Sequence, residues 1–147
     1  MKVYDISQEV FSCEVYPGDP IPEKNVLKSM QKGEVYNLTA FSMCAHNGTH
    51  IDAPFHFIRD GKTVDEICLE AFVGMAYVAE HNGIVTGNDA TEIIEKAKKR
   101  SSDVVLLEGI RLSEVSEGVY FLNAAPLNLS GADGSPCRAV LIDVDER

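Results

Sequence analysis

The distribution of apolar and polar residues along this chain predicts a domain of short β-strands. The apolar stretches are rich in valine, isoleucine, tyrosine and phenylalanine, which pack well on a pleated sheet. Clusters of glycine, proline and aspartate at 16–20 and 131–136 interrupt these stretches and predict a turn and a loop. The predicted strands are residues 2–6, 35–46, 74–80, 103–107, 119–124 and 138–143.

Helical signals are fewer than strand signals. One helix is predicted over 90–100, where Asp89 can act as the N-cap and Glu92 completes a capping box. Residues 63–72 are predicted to form one or two helical turns. Many strands with about two helices favour a single α+β domain over 1–147, with a mixed sheet or open barrel covered by helices on one side.

The charge of the chain restricts its partners. Its 147 residues carry a formal net charge of −10, and the pI is about 4.7. Nucleic acids and anionic membranes repel such a surface, so neither is expected as a partner. A small anionic substrate stays compatible with this charge, because a bound cation reverses the local field.

The cysteines and the start of the chain indicate a cytoplasmic protein. Cys13, Cys44, Cys68 and Cys137 form no C-x-x-C pair, so they predict neither a zinc knuckle nor a thioredoxin-type site. We expect these cysteines to be reduced and mostly buried. The first residues lack the apolar run of a signal peptide, and no stretch has transmembrane length.

Three of the four histidines lie close together with an aspartate between them. His46, His50, Asp52 and His56 occupy even-numbered positions, which share one face in a β-strand. A straight strand would separate positions 46 and 50 by about 13 Å, too far for one metal ion. Asn47-Gly48 is a strong turn signal, so we expect the chain to fold His46 back over His50 and Asp52.

Two imidazoles and a carboxylate suit zinc, manganese or iron(II), and they leave positions open for water and substrate. The alternative to a metal site is a set of ordinary surface or core histidines near a turn. Three histidines clustered around an aspartate favour this alternative less than a single histidine would. His81 stands alone and is interpreted as a loop residue. Two rival functions stay open: an iron(II) oxygenase using His50 and Asp52 with His46 or His81, and a non-catalytic metal- or ligand-binding protein.

The segment from position 46 to position 57 resembles the signature of the metal-dependent cyclase family, which includes bacterial kynurenine formamidase and isatin hydrolase. Weaker similarities lie at 16–20, 61–65, Gly74 and 127–142. The eight matching signature positions are His46, Gly48, Thr49, His50, Asp52, Pro54, His56 and Phe57.

This resemblance implies a swivelling β/β/α fold and metal-dependent hydrolysis of a small amide, formamide or lactam, with zinc or manganese as the expected metal. It implies that His46, His50 and Asp52 are metal ligands and that His56 transfers protons. It also implies that dimers are common. Thr49 either donates a hydrogen bond to substrate or supports the turn, and we favour the turn.

The resemblance also assigns a role to Glu108 and exposes a departure from the family. In relatives with two metals, a later histidine and a later glutamate complete the site, and Glu108 in the segment 107–110 matches that glutamate. An ordinary strand-end carboxylate is the alternative. Longer relatives carry a substantial segment before this glutamate, whereas here Arg100 is eight residues away and no histidine follows His81. We therefore expect one tight metal site. Three consequences of the missing segment stay open: a different substrate, a cleft wall borrowed from a second subunit, or loss of catalysis.

Overall fold

The computed structural model describes residues 1–81, 83–97 and 106–143 of the chain. These residues form nine strands in three sheets, one α-helix and four short 3₁₀ turns, so the described part is of the predicted α+β class. The elements are β1 Lys2–Asp5, β2 Glu23–Lys28, β3 Leu38–Ser42, β4 His50–Asp52, β5 Val73–Val78, α1 Gly87–Ala97, β6 Leu106–Glu108, β7 Gly118–Asn123, β8 Gly134–Pro136 and β9 Val140–Asp143.

The largest sheet has four antiparallel strands in the order β1-β9-β7-β5. One face of this sheet covers the core, because alternate strand residues point inward. Tyr120 and Leu141 from the sheet pack there with Ile6, Phe72 and Ile51, all of them buried. Ile51 belongs to β4, so the core joins the large sheet directly to the strand that carries the histidine motif.

The motif strand lies in the middle of a three-stranded antiparallel sheet, with β6 on one side and β8 on the other. All three residues of β4 are buried. Directly opposed residues of antiparallel strands share a face of the sheet. The register pairs His50 with Glu108 and Asp52 with Gly134, which brings residues distant in sequence to one face.

Strands β2 and β3 pair with each other in a two-stranded sheet of their own. Nearly every residue of both strands is exposed. Val26, Leu27 and Phe41 are each more than half exposed although they are large and apolar. Phe41 makes an edge-to-face contact with Phe11, with ring centroids 6.3 Å apart.

Four of the predicted strands are confirmed as β1, β5, β7 and β9. The turn predicted at 16–20 is also confirmed, because the Asp19 amide donates a hydrogen bond to the Tyr16 carbonyl. The strand predicted over 35–46 is too long, because only Leu38–Ser42 pair with a partner. The chain turns after Cys44 instead, where the Asn47 amide donates to the Cys44 carbonyl. Of the strand predicted over 103–107, the first residues lie outside the described part, and the rest belongs to β6.

The loop predicted over 131–136 is wrong in its second half. Gly134–Pro136 form β8, which pairs with the free edge of β4. Glycine and proline disfavour a central strand, but β8 is an edge strand, where a missing amide donor costs little. The hydrogen bonds that β4 offers outweigh the local preference of these residues for a loop.

The predicted N-terminus of the helix is also wrong. Helix α1 begins at Gly87, three residues before the predicted start. The capping residues are Thr86 and Asp89: the Asp89 carboxylate accepts the Thr86 amide at 2.8 Å, and the Asp89 amide donates to the Thr86 hydroxyl at 3.4 Å. Asp89 is therefore the last residue of the capping box, whereas the sequence predicted it to be the first. The basic residues expected in the last turn, 98–100, lie outside the described residues. The predicted helical turns at 63–72 are confirmed as 3₁₀ turns Val64–Glu66 and Leu69–Ala71.

Candidate metal centre

The turn before β4 folds His46 back over the strand, as the sequence predicts. Gly48 adopts a φ of 66°, a left-handed conformation that favours glycine. Gly134 stands opposite Asp52, and a Cβ on Gly134 would come within 2.5 Å of Cε1 of His46. The missing side chain of Gly134 thus provides the space that the His46 ring fills.

One carboxylate oxygen of Asp52 lies close to a nitrogen of each of two histidines. Oδ1 of Asp52 lies 2.8 Å from Nδ1 of His46 and 3.2 Å from Nε2 of His50. Ligands about 2.0–2.1 Å from a tetrahedral metal are separated from one another by about 3.3–3.4 Å. The side chains of His50 and Asp52 are 8% and 4% exposed, so solvent competes little for these atoms. The donor set and its spacing fit a divalent metal ion.

The backbone fixes the orientation of His50. Its Nδ1 lies 2.9 Å from the Gly48 carbonyl oxygen, which only accepts hydrogen bonds. Nδ1 therefore donates to this carbonyl, which leaves Nε2, the nitrogen that faces Asp52, as the one available to a metal. A hydrogen bond from the second ring nitrogen to a carbonyl is a common way to orient a histidine that binds metal.

The motif continues into a short 3₁₀ turn that brings His56 to the same place. Pro54 occupies the first position of the turn Pro54–His56, which suits its fixed φ and missing amide hydrogen. The His56 ring stacks on the His46 ring, with centroids 3.9 Å apart and planes inclined by 30°. Nitrogen atoms of His46 and His56 and an oxygen of Asp52 all lie within 4.8 Å of one another.

Glu108 approaches the cluster from the neighbouring strand. Its Oε2 lies 3.9 Å from Nε2 of His50, and its side chain is 54% exposed. His50, Asp52 and Glu108 form a second group whose possible ligand atoms lie within 4.8 Å of one another. Asp52 is common to both groups, and Glu108 flanks the more open side.

Asp133 belongs to the cluster but was not among the residues selected from the sequence. Its Oδ2 lies 3.1 Å from Nε2 of His46 and 3.4 Å from Nδ1 of His56. The sequence assigned it only to a glycine-rich loop. The signal that could have found it is the pairing of 134–136 with β4, which no local pattern reveals.

The carboxylates make this cluster favourable for a positive charge. Burial lowers the pKa of His46, but the hydrogen bonds and charges of Asp133 and Asp52 outweigh burial and leave this pKa above its usual value. Burial raises the pKa of Asp133, whereas the hydrogen bond from His46 is the main opposing effect and leaves that pKa lowered overall. A cation between these groups would replace the proton that His46 otherwise holds.

Other residues considered from the sequence have structural roles or lie elsewhere. Thr49 is buried and joins two segments: its hydroxyl oxygen accepts the Gln8 amide at 2.8 Å and donates to the Gly109 carbonyl at 2.6 Å. His81 is exposed and contacts the Ile84 carbonyl, and it belongs to neither of the two groups of possible metal ligands. The cysteines are all free, but the expectation that they are mostly buried is wrong, because three are partly exposed and Cys68 is exposed.

An open cleft of about 280 Å³ adjoins the cluster. Its floor includes His46, His50 and Glu108. Its opposite wall comes from the N-terminal segment, where Tyr16 and Pro17 lie in the predicted turn. The cleft has room for a small molecule beside the imidazoles.

Comparisons with known proteins identify chains that are similar to this one. The family model described as putative cyclase matches residues 4–114. Kynurenine formamidase of Bacillus anthracis is 28% identical, with 95% of this chain and 97% of the relative covered. That alignment spans 202 positions, more than the 147 residues of this chain, so part of the relative has no counterpart here. Kynurenine formamidase of Salinibacter ruber is 26% identical, with 99% of this chain and 100% of the relative covered.

Solved structures share the fold. Isatin hydrolase A from Ralstonia solanacearum superposes with a TM-score of 0.75 at 18% identity, covering 97% of this chain and 92% of its own. A structure described as a potential metal-dependent hydrolase with cyclase activity superposes with a TM-score of 0.74 at 24% identity, covering 95% and 96%. At these identities the similarity shows a common fold.

Proposed function

Because this chain belongs to the putative cyclase family, we propose that it is a metal-dependent hydrolase of a small amide, formamide or lactam. The observation that carries the proposal is the position of Asp52 beside an open cleft, with Oδ1 2.8 Å from Nδ1 of His46 and 3.2 Å from Nε2 of His50. The names of relatives, kynurenine formamidase and isatin hydrolase, support the substrate class.

We propose zinc or manganese as the metal, held by Nδ1 of His46, Nε2 of His50 and Oδ1 of Asp52. Nitrogen and carboxylate ligands suit both ions. A divalent metal bound there supplies a water of lowered pKa and polarises a carbonyl group. Asp52 would contribute the negative charge of a ligand set in which His46 and His50 would bind as neutral imidazoles.

His56 is the proposed proton-transfer residue. Its ring stacks on the His46 ring and its side chain is 31% exposed, so it belongs to the cluster and is accessible to solvent. It takes the proton from the attacking water and returns one to the nitrogen that leaves when the C–N bond breaks. Glu108 faces the open side, where its carboxylate orders the attacking water or loosely holds a second ion.

The direct test of this function is hydrolysis with controlled metal content. We expect purified protein to hydrolyse N-formyl aromatic amines or isatin, to lose this activity with chelator, and to recover it when zinc or manganese is restored. Protein that binds the metal but hydrolyses neither substrate class would favour the alternative, a non-catalytic metal-binding relative. Oxygen-dependent turnover with iron(II) alone would favour an oxygenase.

We further propose that the protein works as a homodimer in the cytoplasm. Free cysteines are in keeping with a reducing compartment. The β2–β3 hairpin exposes Val26, Leu27 and Phe41, and a hairpin of two strands is only marginally stable alone. Light scattering should give twice the chain mass at micromolar concentration, and Val26→Glu should shift the protein towards monomer. A monomeric wild-type protein would contradict the dimer.

None of the described helices is both long and apolar enough to cross a bilayer. Because of the net charge of −10, neither nucleic acid nor an anionic membrane is proposed as a partner.

A further inference from the structure

We propose that Asp133 is a positioning residue that selects which nitrogen of His46 binds the metal and holds the His56 ring beside it. This inference rests on the proposed metal site. It adds a residue from the opposite end of the chain to a motif that otherwise lies within 46–56.

The backbone holds Asp133 in a fixed position. Its carbonyl oxygen accepts the Ala53 amide at 2.9 Å, and the next residue, Gly134, pairs with Asp52 in the sheet. The preceding residue, Ala132, accepts the Val64 amide at 2.9 Å. Backbone contacts on both sides therefore place the Asp133 side chain at the end of β4, where the two histidine rings stack.

One carboxylate oxygen of Asp133 contacts both rings. Oδ2 lies 3.1 Å from Nε2 of His46 and 3.4 Å from Nδ1 of His56. An ionised carboxylate only accepts hydrogen bonds, so Nε2 of His46 carries a proton. Nδ1 of His46 also faces a carboxylate oxygen, 2.8 Å away on Asp52. A metal bound by Asp52 would take the place of the Nδ1 proton, while Asp133 would keep the proton on Nε2.

The two histidine ligands thus use opposite nitrogens. The Gly48 carbonyl accepts the Nδ1 proton of His50 and leaves its Nε2 for the metal, whereas Asp133 accepts the Nε2 proton of His46 and leaves its Nδ1. A carboxylate partner also increases the basicity of a ligand imidazole, and losing such a partner typically lowers metal affinity about 10–100-fold. The same oxygen restrains the His56 ring, whose Nδ1 it contacts, so Nε2 is the nitrogen that remains for proton transfer.

The first test is titration of metal-free protein with zinc or manganese alone. Asp133→Asn and Asp133→Ala should each weaken binding about 10–100-fold, while the melting temperature of the metal-free protein stays near that of the wild type. Asp60→Asn removes the same charge from an exposed loop position and should bind like the wild type. Asp133→Glu should recover part of the affinity.

The outcomes separate this inference from the proposed function. Wild-type affinity in a folded Asp133→Ala variant would overturn the role of Asp133 and leave the metal site intact. A wild-type protein that binds no metal would overturn the metal site itself. If Asp133→Ala does not fold, the isosteric Asp133→Asn variant decides the question.

The second test determines which ring nitrogen of each histidine is protonated and which is coordinated to the metal. Long-range ¹H–¹⁵N NMR spectra of the zinc-bound protein distinguish a protonated ring nitrogen from a coordinated one. We expect a coordinated Nδ1 in His46 and a coordinated Nε2 in His50. Coordination of His46 through Nε2 would contradict the proposal, because that atom could not then donate to Asp133.

Discussion

Gly109 lies with its backbone directly against the carbonyl group of Gly48. A Cβ on Gly109 would overlap the Gly48 carbonyl oxygen, and Gly109 also has a positive φ of 65°. This contact joins the residue after Glu108 to the turn that positions His46. The separation between Glu108 and the histidine cluster therefore depends on two glycines about sixty positions apart in the sequence.

We predict that Gly109→Ala destabilises the protein by about 2 kcal/mol or more, because left-handed strain and overpacking add. Gly33→Ala is the matched control, since Gly33 also has a positive φ, 87°, but meets no atom within 4 Å. Urea unfolding of both variants measures the difference. Equal destabilisation by the two substitutions would show that the contact with Gly48 contributes nothing.

The Asp5–Arg138 ion pair predicts a dependence of stability on pH. The Arg138 guanidinium lowers the pKa of Asp5 from 3.8 to about 2, and its Nε lies 3.0 Å from both carboxylate oxygens. A lowered carboxyl pKa stabilises the fold above pH 3.8, and this contribution is lost as pH falls towards 2.

Because the pair is largely exposed, Arg138→Gln should lower the free energy of unfolding at pH 7 only slightly. The deficit should shrink as the pH is lowered below 3.8. Arg59→Gln, which removes the same charge from an exposed loop, is the control. Urea unfolding at a series of pH values tests this, and a deficit that does not change with pH would contradict the assignment.

His56→Ala should keep the metal and lose hydrolysis. A general acid/base contributes a factor of about 10²–10⁴ to the rate. Turnover of a formyl arylamine and metal content should be measured on the same preparation. Loss of the metal from this variant would make His56 a ligand and would move proton transfer to another residue.

The number of tight metal sites should be one per chain. Because His50 is assigned to the first ion, only Asp52 and Glu108 of its group remain for a second ion, too few protein ligands for tight binding. Calorimetric titration should show one tight site and, at most, a much weaker second site that Glu108→Gln removes. Two equally tight sites would require a ligand from a neighbouring subunit or from a residue such as His81.

Local patterns predicted the parts of the fold that depend on local chemistry. The turn at Asn47-Gly48 and the return of His46 over β4 follow from turn propensity and the spacing of the motif. The strand β8 and the residue Asp133 could not be predicted in this way. Their positions depend on hydrogen bonds offered by β4, more than eighty residues earlier in the sequence.

The misplaced helix start has a local cause. Asp89 and Glu92 have the spacing of a capping box, but Thr86 and Asp89 have it too, and the hydroxyl of Thr86 fills the cap position one turn earlier. Two overlapping signals of equal quality cannot be ranked without knowing where the chain enters the helix.

Metal content of purified protein is the most direct test of the central claim that His46, His50 and Asp52 form one metal centre. Elemental analysis should find about one zinc or manganese per wild-type chain, and His50→Ala should remove most of it while the protein stays folded. The exposed His81→Ala is the matched control and should keep the metal. Full metal stoichiometry in a folded His50→Ala variant would contradict the account.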